Sequence, residues 1–193
     1  VSGGDQPAPR PFRAIAFSGS LRRGSSNTGL VHLARRLASS TDLAGRLQVE
    51  VAGWLRDLPF YDPDLEADLP PVAARWRAAV TEADALVIGM PEYNFGPTGF
   101  AKNAIDWLTR PLGAHALRGK VIAMLTSGGK GGGTRVQAAV GPILTLLGNT
   151  VVDEPPVTIA LGAERIAADG TADPAVEALV LDKLRHVLAV LEA

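Results

Sequence analysis

Residues 85–90, `ALVIGM`, are apolar without interruption, with Asp84 before them and Pro91 after. Six residues are too few for a helix of ordinary length. An unbroken apolar run of this size suits a strand buried on both faces, which is the central strand of a parallel sheet. A parallel sheet needs crossover helices, so the rest of the chain must alternate strand with helix.

It does. `RAIAFS` (13–18) reads as a buried strand, followed by a helix from about 27 to 39 with Leu30, Leu33, Ala34 and Leu37 at helical spacing. `RLQVEVAG` (46–53) alternates like a strand, and a Pro/Asp-rich loop leads to a helix near 72–83. After the central run come a helix at 99–110, a strand `KVIAMLTS` (120–127) and a helix near 134–148. A strand around `TVV` or `VTI` and a C-terminal helix at 174–192 close the series. This pattern predicts one α/β domain over 13–193, an open parallel sheet covered on both faces, preceded by a Pro/Gly-rich leader over 1–12. In such sheets ligands bind beyond the carboxyl ends of the strands.

Composition removes several chemistries. Cysteine is absent, which excludes disulfides and thiolate nucleophiles. The three histidines, His32, His115 and His186, form no recognisable metal-ligand pair. A net charge of −1 offers no field for nucleic acid or an anionic membrane. No apolar run approaches the roughly 18 residues of a membrane span, so a cytoplasmic location is the expectation.

Three loops at strand ends carry the polar chemistry. In `GSLRRGSSNT` (19–28), hydroxyls of Ser20, Ser25, Ser26 and Thr28, the Asn27 amide and Arg22 gather before a helix N-terminus. Ordinary cap and turn chemistry accounts for them, and so does an anion cradle, because first-turn N–H groups and the helix dipole both favour a phosphate. A Walker lysine is missing, Ser25 standing in its place, and no GxGxxG turn occurs. `PEYNFGP` (91–97) sets aromatics beside irregular backbone, which suits either a flat heteroaromatic ring or simple loop packing. `TSGGKGGG` (126–133) permits close backbone approach to a ligand, or makes a loose turn.

Together, `GSLRRGSSN`, `ADALVIGMPEYN` running into `KNAIDWLTR`, and `TSGGKGGG` resemble the NADPH-dependent FMN reductase family of flavodoxin-like proteins, over nearly the whole chain from Arg13. The resemblance implies a three-layer α/β sandwich with a five-stranded parallel sheet in the order 2-1-3-4-5. It implies that Ser20, Arg22, Ser26 and Asn27, with Ser18 and Thr28, hold the phosphate of FMN. Pro91, Glu92, Tyr93, Asn94 and Phe95 would border the isoalloxazine, and Ser127, Gly128 and Gly129 would close its other edge. Gly96 stands where the family commonly has Ser, and the proline falls at 97. The implied reaction passes a hydride from NADPH or NADH through FMN to small acceptors such as quinones, azo compounds, chromate or free flavin. Arg22, Arg23 and Lys130 are candidates for the extra phosphate of NADPH. A non-enzymatic flavodoxin-type electron carrier is the alternative. The family also implies a homodimer or homotetramer through the helix bearing Trp107, since Phe100, Ile105, Trp107 and Leu108 point in more than one direction. Packing of Trp107 within its own subunit, under the 111–118 loop, is the other outcome.

Overall fold

The computed structural model describes residues 10–193, so most of the expected leader lies outside the described residues. In chain order the elements are β1 (Phe12–Ser18), α1 (Ser26–Ser40), β2 (Leu47–Val51), α2 (Pro71–Glu82) and β3 (Ala85–Gly89). A two-residue ladder follows, β4 (Glu92–Tyr93) with β5 (Gly96–Pro97), then α3 (Gly99–Leu108), β6 (Val121–Gly128) and α4 (Thr134–Leu146). The chain ends with β7 (Thr150–Val151), β8 (Val157–Ala160), a short α5 (Gly162–Arg165) and α6 (Pro174–Glu192).

The main sheet is parallel, with β2, β1, β3 and β6 side by side, the flavodoxin-like order. Its fifth position is shared. β7 pairs with the start of β6, Val121 opposite Thr150, and β8 pairs with its end, Leu125 opposite Val157. Both candidate segments for the last strand are therefore used, one on each half of the same edge.

Alternation along the strands sorts side chains by size. Ala14, Ala16, Ala85, Val87 and Ala123 face α1 and α6, where small side chains let two helices settle close to the sheet. Ile15, Phe17, Leu86, Ile88 and Met124 face α2, α3 and α4, together with the indoles of Trp76 and Trp107. Each large side chain buried this way contributes roughly 1.5–3 kcal/mol of transfer free energy. Phe17 meets Trp76 edge-on at 5.3 Å between centroids, and the Trp76 Nε1–H donates to the Ala104 carbonyl at 2.9 Å, which joins α2 to α3.

Trp107 leaves no exposed surface of its own to offer a partner. It is fully buried, its Nε1–H donates to the Pro59 carbonyl at 2.8 Å, and Tyr61 packs against it edge-on at 5.3 Å. Asn103 completes the clasp, donating to the Pro59 carbonyl at 2.8 Å and accepting from the Tyr61 N–H at 2.7 Å. The surplus apolar surface of α3 is thus covered by the 58–61 segment of the same chain, while Leu117 of the 111–118 loop is buried in the same cluster and donates its N–H to the Leu108 carbonyl at 3.4 Å.

Candidate active site

Four chain segments meet beyond the carboxyl ends of β1, β3, β6 and β8 and enclose a cleft of about 360 Å³. The first is the turn from β1 into α1. Ser25 caps α1, its hydroxyl accepting from the Thr28 N–H at 3.4 Å, and the first-turn N–H groups of Ser26 and Asn27 have no acceptor among the described residues. Ser20 and Arg22 line the cleft beside them. The Arg22 guanidinium has neither a hydrogen-bond nor an ion-pair partner among the described residues.

Ser18 and Thr28 lie behind this turn. The Ser18 hydroxyl accepts from the Ser20 N–H at 3.2 Å and from the Thr28 hydroxyl at 3.0 Å, so the pair braces the loop and does not line the cleft. Asn27 lines the cleft, yet its amide is committed. Nδ2 donates to the Ser127 carbonyl at 2.8 Å, and Oδ1 accepts from the Ser127 N–H at 3.0 Å. The Ser127 hydroxyl also lies 2.8 Å from that of Ser26. Loop one and the end of β6 are thereby one unit. Gly89, last residue of β3, permits this closeness, because a Cβ there would meet the Asn27 carbonyl.

The second segment follows β3. Pro91, Glu92 and Tyr93 line the cleft, with Tyr93 half exposed. Asn94 and Phe95 do not; they form the tip of the β4–β5 hairpin at φ 51° and 69°. Two successive residues in the left-handed region make the primed type of hairpin turn, for which glycine is the usual choice, so Phe95 is strained there. Its ring is 72% exposed, under the Arg135 guanidinium at 5.0 Å. In the hairpin, Gly96 pairs with Tyr93 and Pro97 with Glu92.

Glu92 turns its carboxylate away to α4, accepting from the N–H groups of Arg135 at 3.1 Å and Val136 at 3.3 Å. Gly133, at the cap position of α4, has no side chain to offer, and Glu92 supplies the missing acceptor from another segment. Thr98 does similar work one turn on. Its hydroxyl donates to the Gly19 carbonyl at 2.6 Å and accepts from the Ala101 N–H at 3.0 Å, which ties the second segment to the first.

Ser127, Gly128 and Gly129 supply the third wall. The fourth, Leu161, Ala163 and Glu164, comes from the turn between β8 and α5 and has no counterpart among the expected residues. Leu161 sits at φ 50°, and a Cβ on the next residue, Gly162, would collide with the Ser127 hydroxyl. That single glycine was the one local signal that this turn must press against the site.

The chain is similar to proteins named as oxidoreductases. The family described as NADPH-dependent FMN reductase matches residues 12–164. A probable NADPH:quinone oxidoreductase 2 of Oryza sativa subsp. japonica is 35% identical over 154 residues, covering 79% of this chain and 73% of that protein. An NADPH:quinone oxidoreductase of Arabidopsis thaliana is 33% identical over 186 residues, covering 94% and 91%. Among solved structures, the flavoenzyme NAD(P)H:(acceptor) oxidoreductase FerB from Paracoccus denitrificans superposes with a TM-score of 0.82 at 33% identity, over 94% of this chain and 97% of that one.

Proposed function

This chain belongs to the NADPH-dependent FMN reductase family, and from that premise we propose that it carries electrons from NADPH through one FMN to quinones and comparable small acceptors. It is an NAD(P)H-dependent flavin oxidoreductase of flavodoxin-like fold. One observation carries the reading of the site: the cleft has an anion-binding end and an aromatic rim on rigidly joined loops. At the first end, open N–H groups of Ser26 and Asn27 and the unpartnered Arg22 meet the needs of a phosphomonoester dianion. At the other, Tyr93 and the glycine-rich backbone at 128–129 suit a flat ring. The donor set therefore fits FMN, and the volume falls in the range of ordinary cofactor sites.

When bound, FMN supplies the two-electron chemistry, and the protein supplies placement. Arg22 and the first turn of α1 would hold the phosphate, with Ser18 and Thr28 bracing the loop that presents them. Asn27 would act through Ser127, fixing the distance between the phosphate end and the ring end. Glu92 would keep the Pro91–Tyr93 wall anchored to α4. Reductant and acceptor would use the open mouth in turn. The absorption spectrum of the protein as purified tests the cofactor, and steady-state kinetics test the order of events. Parallel double-reciprocal lines for NADPH at several benzoquinone concentrations are expected; intersecting lines would show that both substrates bind together.

We propose further that the chain forms a homodimer or homotetramer through α4 and the segment after α3. Leu112, Ile143 and Leu146 are 79%, 40% and 87% exposed there, and Leu112 and Ile143 line a groove at the α3–α4 junction. Sedimentation of wild type and Leu146→Arg tests this, the variant being expected to shift toward the 20.1 kDa monomer. The location in the cell is proposed as cytoplasmic; among the described residues no helix is long and apolar enough to cross a membrane.

A further inference from the structure

Four arginines leave their guanidinium without a hydrogen-bond, ion-pair or aromatic partner among the described residues: Arg22, Arg23, Arg35 and Arg56. The others meet carboxylates, carbonyls or rings, as Arg36 meets Glu177, Arg77 the Trp107 carbonyl and Arg75 the Trp54 ring. Three of the four, Arg22, Arg23 and Arg56, line one cleft of about 200 Å³. It lies on the far side of loop one from the cleft described above, and Ser20 and Arg22 line both. No carboxylate lines it. Ser18, Ser20, Thr28 and His32 add polar groups to its walls, and Leu21, Val31, Val51, Leu55 and Phe100 form the apolar part. The one imidazole there, His32, is held below its usual pKa by burial first and by Arg35 second.

Unpaired guanidiniums around an apolar floor match a ligand with a flat base and separated phosphate groups. Guanidinium forks bind phosphate oxygens in pairs and also stack on planar rings. A reductase of this family must take a second phosphorylated molecule besides its flavin, namely the reductant. We infer that this second cleft takes the adenosine 2′,5′-bisphosphate end of NADPH, with Arg23 and Arg56 selecting it over NADH. The inference rests on the reductase reading for the identity of the ligand. It narrows the candidates for the extra phosphate: Arg23 stays, Arg56 joins from the segment after β2, and Lys130 does not line this cleft. Arg22, shared by both clefts, couples them.

The test is calorimetric titration of adenosine 2′,5′-bisphosphate and of 5′-AMP into the FMN-loaded protein and into Arg23→Ala, Arg56→Ala and the double variant. Wild type is expected to bind the bisphosphate at least about tenfold more tightly than 5′-AMP, the difference one well-made phosphate contact supplies. Each single variant should lose most of that preference, and the KM for NADPH should rise by about the same factor while the KM for NADH and the Kd for FMN stay at wild-type values. Equal affinity of wild type for the two nucleotides, or wild-type affinity for the bisphosphate in the double variant, would overturn the assignment. Failure of the protein to bind FMN would overturn the reductase reading instead, and titration of the unloaded protein would still report on the cleft.

Discussion

Asn27 and Ser127, 100 residues apart, are joined as a cyclic pair: the Asn27 amide donates to the Ser127 carbonyl at 2.8 Å and accepts from the Ser127 N–H at 3.0 Å. Both residues are buried, so neither bond has water as a ready substitute. Asn27→Asp would set a carboxylate oxygen against the Ser127 carbonyl. A loss of at least about 2 kcal/mol in urea unfolding is expected, with weaker FMN binding alongside. Wild-type stability of this variant would show that the pair does not hold the two loops together.

Arg22→Ala separates phosphate recognition from ring recognition. It should raise the Kd for FMN by about tenfold or more, charge-assisted bonds contributing roughly 1.5–3 kcal/mol, and leave riboflavin binding nearly unchanged. Fluorescence titration of both flavins reads the ratio. Equal weakening of the two would move the phosphate away from loop one.

Glu92 caps α4 across a gap in sequence, so its removal should be felt as stability. Glu92→Ala is expected to lower stability by about 1 kcal/mol and Glu92→Gln by less, since the amide oxygen still accepts from Arg135 and Val136. Thermal unfolding of the two variants decides. An alanine variant as stable as the glutamine variant would deny the cap.

Lys183 gives a pH signature. Its ammonium is buried and donates to the Val152 and Asp153 carbonyls at 2.7 and 2.8 Å. Burial lowers its pKa from 10.5 to about 8, against the opposing pull of Asp153 and Glu154. Because the folded value is the lower one, the unfolded chain binds more protons between about pH 8 and 10.5. Stability from this group therefore rises with pH across that window and is lowest below it. Relative to Lys183→Met, wild type should gain up to about 3 kcal/mol between about pH 7.5 and 10.5, since each pH unit inside the window contributes about 1.36 kcal/mol. Parallel stability-pH curves for the two proteins would refute this.

Trp107 now predicts a folding defect. Trp107→Phe keeps most of the ring but leaves the Pro59 carbonyl with Asn103 alone, and a loss of about 1–2 kcal/mol without a change of oligomeric state is expected. Dissociation of the assembly by this conservative change would restore the indole to an interface.

Local periodicity carried much of the fold. The apolar run at 85–90 became β3 at the sheet centre, and the helical spacing of Leu30, Leu33 and Leu37 became the buried stripe of α1. What stayed hidden depends on contacts between distant segments. The Asn27 amide looks like a free donor in `GSSN`, and only its proximity to Ser127 commits it elsewhere. Asn94–Phe95 lacks the glycine that marks a primed turn, so the hairpin left no trace in composition. The turn at 161–164 follows a short edge strand and has no polar cluster to announce it. Trp107 misled because amphipathicity counts one covering surface per helix, and α3 has two: the sheet, and a loop whose acceptor is a proline carbonyl.

The divided outer edge of the sheet has a consequence for how copies of this chain avoid one another. A continuous edge strand is a template on which a foreign strand can build, one hydrogen bond per step. Here the edge is two residues of β7, a gap, and four residues of β8, and the gap contains Pro155 and Pro156, which have no N–H to donate. An incoming strand would lose register within a few residues of either end. At high concentration, runaway strand addition from this side is blocked by the backbone itself, so the surface charges nearby are left free for other uses.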